Sequence, residues 1–247
     1  VLAVSNHQAY NENGEFISGC TSRASNRYTG GVMGDIWLEI KKELAIDDAY
    51  VTSYSSDTDT FDVVVELSKE TDTNIFWEIY DKDNLVKSGV SKKSVFSIEK
   101  KDLSFWNTSS PKLYTMKLAL NNEDPYEFDF GIRALCPRGA KLELNFKPVF
   151  LRGICEHGYF AKTVHPTDDI NYYINIINKL KELDFNFIRF HTWVPVEEYM
   201  IAADRLGMLL HIESPNNTTL NEWKNIMRFV RRHPSVVICC CGNELFI

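Results

Sequence analysis

The sequence predicts a multidomain protein of β and α/β parts: two β-sandwiches, the first incomplete, followed by the first half of a (β/α)8 TIM barrel. Three observations carry this prediction. Short β-rich runs with two-residue alternation fill residues 44–135. Beyond residue 135 the pattern changes to strand, helix, strand, helix. Ahead of both, residues 1–43 hold at most two strands, "VLAVSN" and "GDIWLEI", joined by a long polar loop, which is too few to make a domain.

The β-rich runs are "AYVTSYS", "TFDVVVELS", "NIFWEIYDK", "NLVKSG", "SVFSIEK", "YTMKLALN" and "YEFDFGIRAL". In the second, Phe61, Val63, Val65 and Leu67 alternate with Asp62, Val64 and Glu66, so one face of the strand is apolar. Their spacing suits an immunoglobulin-like β-sandwich over 44–135.

In residues 136–247, "PVFLRGI" is expected as the first parallel strand. Thr167, Asp168 and Asp169 open a helix in which Ile170, Tyr173, Ile174, Ile177 and Leu180 recur at helical spacing. "FNFIRF" is the second strand. Pro195 opens a second helix, Val196 to Leu206, and Gly207 closes it. "MLLHIE" is the third strand, Thr219 caps a third helix, and "SVVICCCGNE" is the fourth strand. Strands separated by single helices pair in parallel through right-handed crossovers. Four such steps are half of an eight-stranded barrel, and no helix follows to cover the last strand.

Composition narrows the function. The 247 residues are 44% hydrophobic and 13% aromatic, enough for more than one core. Residues 1–135 carry 14 basic and 22 acidic side chains, against 13 and 12 in the remainder. No basic stripe exists for nucleic acid, and an acidic half repels anionic membranes. No apolar run is long enough to span a bilayer, and the first residues lack the features of a signal peptide. The chain starts at Val1, so an upstream piece is expected. Cysteines 20, 136, 155, 239, 240 and 241 make no CxxC pair. They are expected as buried reduced thiols, with no metal and no cofactor.

The chemistry gathers at the C-terminal ends of the parallel strands, where barrels place their functional groups. Those ends read "RGICEHGYF", "IRFHTW", "HIESP" and "CGNEL". Each carries an ionisable residue just past its apolar run: His157, Arg189 with His191, Glu213, and Glu244. Glycoside cleavage needs one carboxylic acid to protonate the leaving oxygen and a second carboxylate to attack or to activate water. Tyr159, Phe160 and Trp193 lie in the same loops and offer planar surfaces for a sugar ring.

Several linked motifs in order resemble glycoside hydrolase family 2, the group of β-galactosidases, β-glucuronidases and β-mannosidases. They are "TGGVMGDIWLEI", "FWNTSSPKLYTMKLAL", "GIRAL" with "LELNFKPVFLRGICEHG", the stretch "LKELDFNFIRFHTWVPVEEYMIAADRLGMLLHIE", and "RRHPSVVICCCGNE". The resemblance implies that residues 1–43 end a jelly-roll sugar-binding domain and that the protein is a retaining hydrolase of terminal β-linked sugars, β-galactosidase-like. It implies Glu244 as general acid/base and Asn243 as the neighbour that contacts the sugar 2-hydroxyl. His157, Arg189, His191, Trp193 and Glu213 then shape the sugar pocket. It also implies a nucleophilic Glu on a later strand, outside these residues, so that this piece alone is inactive. The sequence departs from the family at "FHTWVP", which shifts His191 by one position, and at Asn145-Phe146, which replaces Asn-Gly and loses the two-residue hairpin signal. A carbohydrate substrate is the expected partner, with self-association through the sandwich domains. The alternative from another class is a non-catalytic carbohydrate-binding or scaffolding module.

Overall fold

The computed structural model describes residues 36, 38–120, 125–163, 165–216 and 218–243. They are mostly β-sheet with few helices and group into two compact units, residues 38–150 with 231–234, and residues 151–230 with 235 onward.

In the first unit the expected runs form β1 (Ile46–Val51), β2 (Thr60–Leu67), β3 (Ile75–Asp81), β4 (Asn84–Ser91), β5 (Val95–Glu99), β6 (Tyr114–Leu120) and β7 (Tyr126–Phe130). They make two antiparallel sheets, in the orders β1-β2-β5 and β4-β3-β6-β7. Alternation decides which side chains go inward: Phe61, Val63 and Val65 from β2, Ile75 and Ile79 from β3, and Met116 and Leu118 from β6 share one apolar core. Burying each such side chain contributes about 1.5–3 kcal/mol, so the sandwich is held chiefly by this layer.

A third sheet follows in the order β10-β9-β8, with β8 (Leu135–Arg138), β9 (Lys141–Leu144) and β10 (Lys147–Val149). Here the structure corrects the sequence reading. The two-residue hairpin forms without glycine, with Asn145 at φ 51° and Phe146 at φ 65°. Asn145 is fixed from three sides: its Oδ1 accepts from Ala134 N at 2.9 Å, its Nδ2 donates to Trp106 O at 2.9 Å, and its own N–H donates to Ala134 O at 2.7 Å. The Phe146 ring meets Tyr54 and Phe105 edge-on, with centroids 6.0 and 6.3 Å apart. Left-handed backbone costs an L-residue about 1–2 kcal/mol, and these contacts offset it.

The run "PVFLRGI" is not one strand. Pro148 and Val149 belong to β10, an edge strand where the missing proline N–H is harmless, and Phe150 is 77% exposed. The first unit accordingly reaches Phe150 rather than residue 135. Of "GDIWLEI", the described residues Ile36, Leu38, Glu39 and Ile40 lie outside any strand, and Leu38 and Ile40 are 88% and 89% exposed. The other strand expected before residue 43, "VLAVSN", and Cys20 lie outside the described residues.

The second unit contains β11 (Gly153–Glu156), α1 (Ile170–Glu182), β12 (Phe187–Phe190), α2 (Glu197–Leu206), β13 (Leu209–Glu213), α3 (Leu220–Val230) and β14 (Val236–Cys240). The four strands pair in parallel in chain order. Each helix start has a local cause. Asp169 caps α1, its Oδ1 accepting from Asn171 N at 2.9 Å. Glu197 and Glu198 complement the positive end of α2, and Gly207, at φ 72°, closes it by donating to Ala203 O. Thr219 and Glu222 form a reciprocal cap on α3, with Thr219 N to Glu222 Oε2 at 2.7 Å and Glu222 N to Thr219 Oγ1 at 3.3 Å.

One face of this sheet is apolar and covered: Ile188, Phe190, Leu210, Ile212 and Val236 pack with Tyr173, Ile177, Tyr199, Met200 and Val230 from the helices. Tyr173 and Tyr199 stack with centroids 4.5 Å apart, and burial pushes both phenols far above their usual range. The pairing of β13 with β14 shifts by one residue, Leu210 facing Val236 and His211 facing Ile238. Cysteines behave differently from the expectation of buried thiols. Cys136, on edge strand β8, and Cys155, on the sheet face away from the helices, are exposed, as is Cys241, while Cys239 and Cys240 are half-buried.

Candidate functional site

The uncovered face of the parallel sheet carries the polar residues. Register aligns Cys155 with Arg189, Arg189 with His211, and His211 with Ile238. Since alternate residues share a face, Glu213 and Cys240 lie on that same face one step further along. All four strands point the same way, so Glu156, His157, His191, Glu213 and Asn243 collect at their common C-terminal edge.

Arg189 joins three strands there. Its Nε and Nη2 donate to Glu213 Oε2 at 3.1 and 2.6 Å, and Nη2 also donates to Asn243 Oδ1 at 3.0 Å. Glu213 is 1% exposed, and its other oxygen accepts from Thr192 N at 3.1 Å. A buried carboxylate is tolerated only when paired and hydrogen-bonded, and both conditions hold here. The bond from Glu213 raises the Arg189 pKa, so the guanidinium stays charged. Asn243 is held a second time by its backbone, whose N–H donates to Asn216 Oδ1 at 2.8 Å. Burial lowers the His211 pKa, with Glu213 opposing and Arg189 reinforcing the shift.

A second cluster surrounds Glu156. Its carbonyl accepts from His191 N at 2.8 Å and from Trp193 Nε1 at 3.1 Å, while its Oε1 accepts from Gly158 N at 2.7 Å. Gly158 sits at φ 73°, where an L side chain is strained, and a Cβ there would also crowd the Trp193 ring at 3.2 Å. The His157 ring lies 4.7 Å from that of His191 and stacks on Tyr159 at 5.8 Å. His191 Nδ1 is buried without a hydrogen-bond partner. Thr192, at φ 57° between His191 and Trp193, links the two clusters through its N–H to Glu213.

The predicted residues therefore fall into two sets: Arg189, Glu213 and Asn243 in direct contact, and His157, His191 and Trp193 around Glu156. Glu244 lies outside the described residues. Of the three aromatics expected to stack on sugar, Trp193 and Phe160 are 5% and 8% exposed, packed edge-on against each other, and Tyr159 alone is open at 59%. Sequence reasoning missed Glu156, Thr192, Asn216 and His211 as site builders. Glu156 directly precedes His157 and was visible as a third strand-end carboxylate beside Glu213 and Glu244. Nothing in the sequence marks Thr192 as left-handed. Among the described residues, the ligand atoms of His211, Glu213 and Cys240 lie within 4.8 Å of one another, close enough to hold a metal ion.

Several known proteins resemble parts of this chain. Residues 44–133 match the family model described as Glycosyl hydrolases family 2. The chain is 28% identical over 166 residues to a β-galactosidase of Leuconostoc mesenteroides, an overlap of 58% of this chain and 16% of that protein. It is 26% identical over 250 aligned positions to a β-glucuronidase of Streptococcus agalactiae, covering 87% of this chain and 41% of that protein. The chain thus spans 16% and 41% of the lengths of these two relatives. Among solved structures, a Faecalibacterium prausnitzii β-glucuronidase matches with TM-score 0.69 at 22% identity, covering 82% of this chain and 36% of that one. A Ruminococcus gnavus β-glucuronidase in complex with D-glucuronic acid matches with TM-score 0.70 at 20% identity, covering 83% and 38%. At such identities the structural likeness is one of fold.

Proposed function

The chain belongs to glycoside hydrolase family 2, and from that premise we propose that it supplies the acid/base side of a retaining β-glycosidase site. The observation that carries this reading is the triad in which Arg189 donates to both Glu213 and Asn243. It fixes the end of β14 immediately before Glu244, the residue assigned the proton-transfer role. As a carboxylic acid, Glu244 protonates the departing glycosidic oxygen, and as a carboxylate it then deprotonates the water that frees the sugar. Asn243 accepts from Arg189 through Oδ1, which leaves its amide N–H groups to donate to a sugar hydroxyl, the 2-hydroxyl in this reading. His157, His191 and the open ring of Tyr159 form the neighbouring wall. Glu213 and Glu156 are each engaged in the hydrogen bonds that build the site, so the attacking carboxylate is assigned to neither.

The finer fold reading belongs to the same proposal. Sheet orders β1-β2-β5 and β4-β3-β6-β7 support an immunoglobulin-like sandwich. Four parallel strand-helix steps with polar C-terminal ends support half of a (β/α)8 barrel, and residues 1–43 are assigned to the end of a jelly roll. Relatives are named for both galactoside and glucuronide activity, so the sugar is to be read from a panel of aryl β-galactoside, β-glucuronide and β-mannoside. The mechanistic test is Glu244→Gln in the whole protein that carries this chain. Substrates with poor leaving groups should lose about 10²–10⁴ in kcat, activated aryl glycosides far less, and azide should partly restore turnover of the latter. Equal losses for both, with no azide effect, would remove Glu244 from the chemistry.

A non-catalytic sugar-binding role for the sandwich has one observation in its favour. A groove of about 440 Å³ lies on the outer face of the four-stranded sheet, lined by Phe76, Glu78, Ser88 and Lys117. Oligosaccharide binding that disappears in Phe76→Ala and persists in Glu244→Gln would support it.

A further inference from the structure

We infer that His211, Glu213 and Cys240 form a binding site for a divalent ion of the zinc class, bridging β13 and β14. The three ligand atoms converge within 4.8 Å, a spacing that one ion can satisfy, and they come from the same face of two paired strands. His211 Nε2 is buried and makes no hydrogen bond, so this imidazole keeps a nitrogen able to bind a metal. Imidazole, carboxylate and thiol together select zinc, cobalt or a similar ion over magnesium or calcium, which take all-oxygen sets.

Glu213 retains the capacity to take part. A carboxylate offers about four lone-pair sites. Arg189 uses Oε2 twice and Thr192 N uses Oε1 once, which leaves one site on Oε1. The Arg189 charge works against a cation here, so an ion held by thiolate and imidazole is favoured over one held by charge alone. Cys240 Sγ lies 3.1 Å from Gly242 O as a thiol. On binding, the S–H bond gives its proton to solvent as the sulfur–metal bond forms, with no change of oxidation state. Three protein ligands leave a fourth position for water. The half-buried state of His211 and Cys240 leaves a path for entry. This inference does not depend on the glycosidase reading.

The test is titration of chelator-treated protein with Co²⁺, followed by absorbance, and with Zn²⁺, followed by calorimetry. One equivalent should bind, with a thiolate-to-cobalt charge-transfer band. Cys240→Ser should abolish the band and weaken binding by at least about 100-fold, more than loss of an outer hydrogen-bond partner costs a metal site. Cys239→Ser and Cys241→Ser should keep it. In the unsubstituted protein, Zn²⁺ should slow alkylation of Cys240 and leave Cys155 and Cys241 unaffected, a readout independent of whether a variant folds. No band, a band that survives Cys240→Ser, or alkylation of Cys240 indifferent to Zn²⁺ would each overturn the site.

Discussion

The two sheet systems solve opposite problems. In the sandwich, the inner faces of both sheets meet in an apolar layer, and polar side chains such as Asp62, which accepts from Ser97 Oγ at 2.6 Å, stay at the exposed surface. In the parallel sheet, one face is apolar under the helices, while the other buries Glu213 beside Arg189 and His211. The first is stabilised by volume and tolerates changes of charge. The second is stabilised on one face by volume and on the other by an ion pair and the hydrogen bonds around it, and networks of that kind are costly when half-satisfied.

The largest effect should come from removing volume from the sandwich. Phe61→Ala, at a site 1% exposed and 5.9 Å from the Phe130 ring, should destabilise by about 3–5 kcal/mol in denaturant unfolding. A loss below about 1 kcal/mol would mean that the layer is not close-packed. Next comes charge without volume. Glu213→Gln keeps the shape and leaves the part-exposed Arg189 unpaired, which should cost about 1–3 kcal/mol. The matching shape-preserving change in the sandwich, Asp62→Asn, should stay within about 0.5 kcal/mol. Equal costs for the two would erase the contrast.

A smaller effect is expected at the helix ends. Thr219→Ala removes one half of the reciprocal cap on α3 and should cost about 1 kcal/mol, read as an earlier thermal midpoint. The smallest concerns the hairpin at Asn145-Phe146. Phe146→Ala discards the ring contacts and keeps the backbone strain, whereas Phe146→Gly discards both. The glycine variant should therefore be the more stable of the two by about 1 kcal/mol, the reverse of the usual order. If alanine is better, the left-handed φ at 146 is not a source of strain.

Legibility in the sequence follows the same division. Strands such as β2 and β6 were readable because each has a covered and an open face, and alternation reports that directly; β2 differs from its expected span by a single residue, Ser68, whereas β1, of irregular burial, starts at Ile46 rather than Ala49. Helices were readable from caps, Thr219 and Gly207 among them. Errors arose where an apolar run served two elements, as in "PVFLRGI", because periodicity cannot place a break inside four consecutive apolar residues. Of the candidate site, Arg189, Glu213 and Asn243 were nameable from their places at strand ends. Their mutual bonds were not, since they join residues up to 54 positions apart and depend on which strands pair and in what register. Thr192 contributes through a backbone N–H, which almost any loop residue can supply, and Asn216 through a side-chain amide oxygen that nothing in its loop sequence singles out.

The one-residue shift between β13 and β14 has a consequence for how β14 finds its alignment. Cys239, Cys240 and Cys241 are identical, so sliding β14 by one position would still present a thiol opposite Glu213. Side-chain chemistry is thus degenerate at the very place where an error would do most harm, because a slip moves every atom by about 3.3 Å and reverses the alternate faces. The alignment is instead pinned by backbone donors at both ends: Ser235 N to Asp204 Oδ1 at 2.9 Å and Asn243 N to Asn216 Oδ1 at 2.8 Å. Deleting one cysteine of the three leaves a thiol in place but makes the strand too short to satisfy both pins. The triplet's length, more than its chemistry, is what puts Asn243 within reach of Arg189.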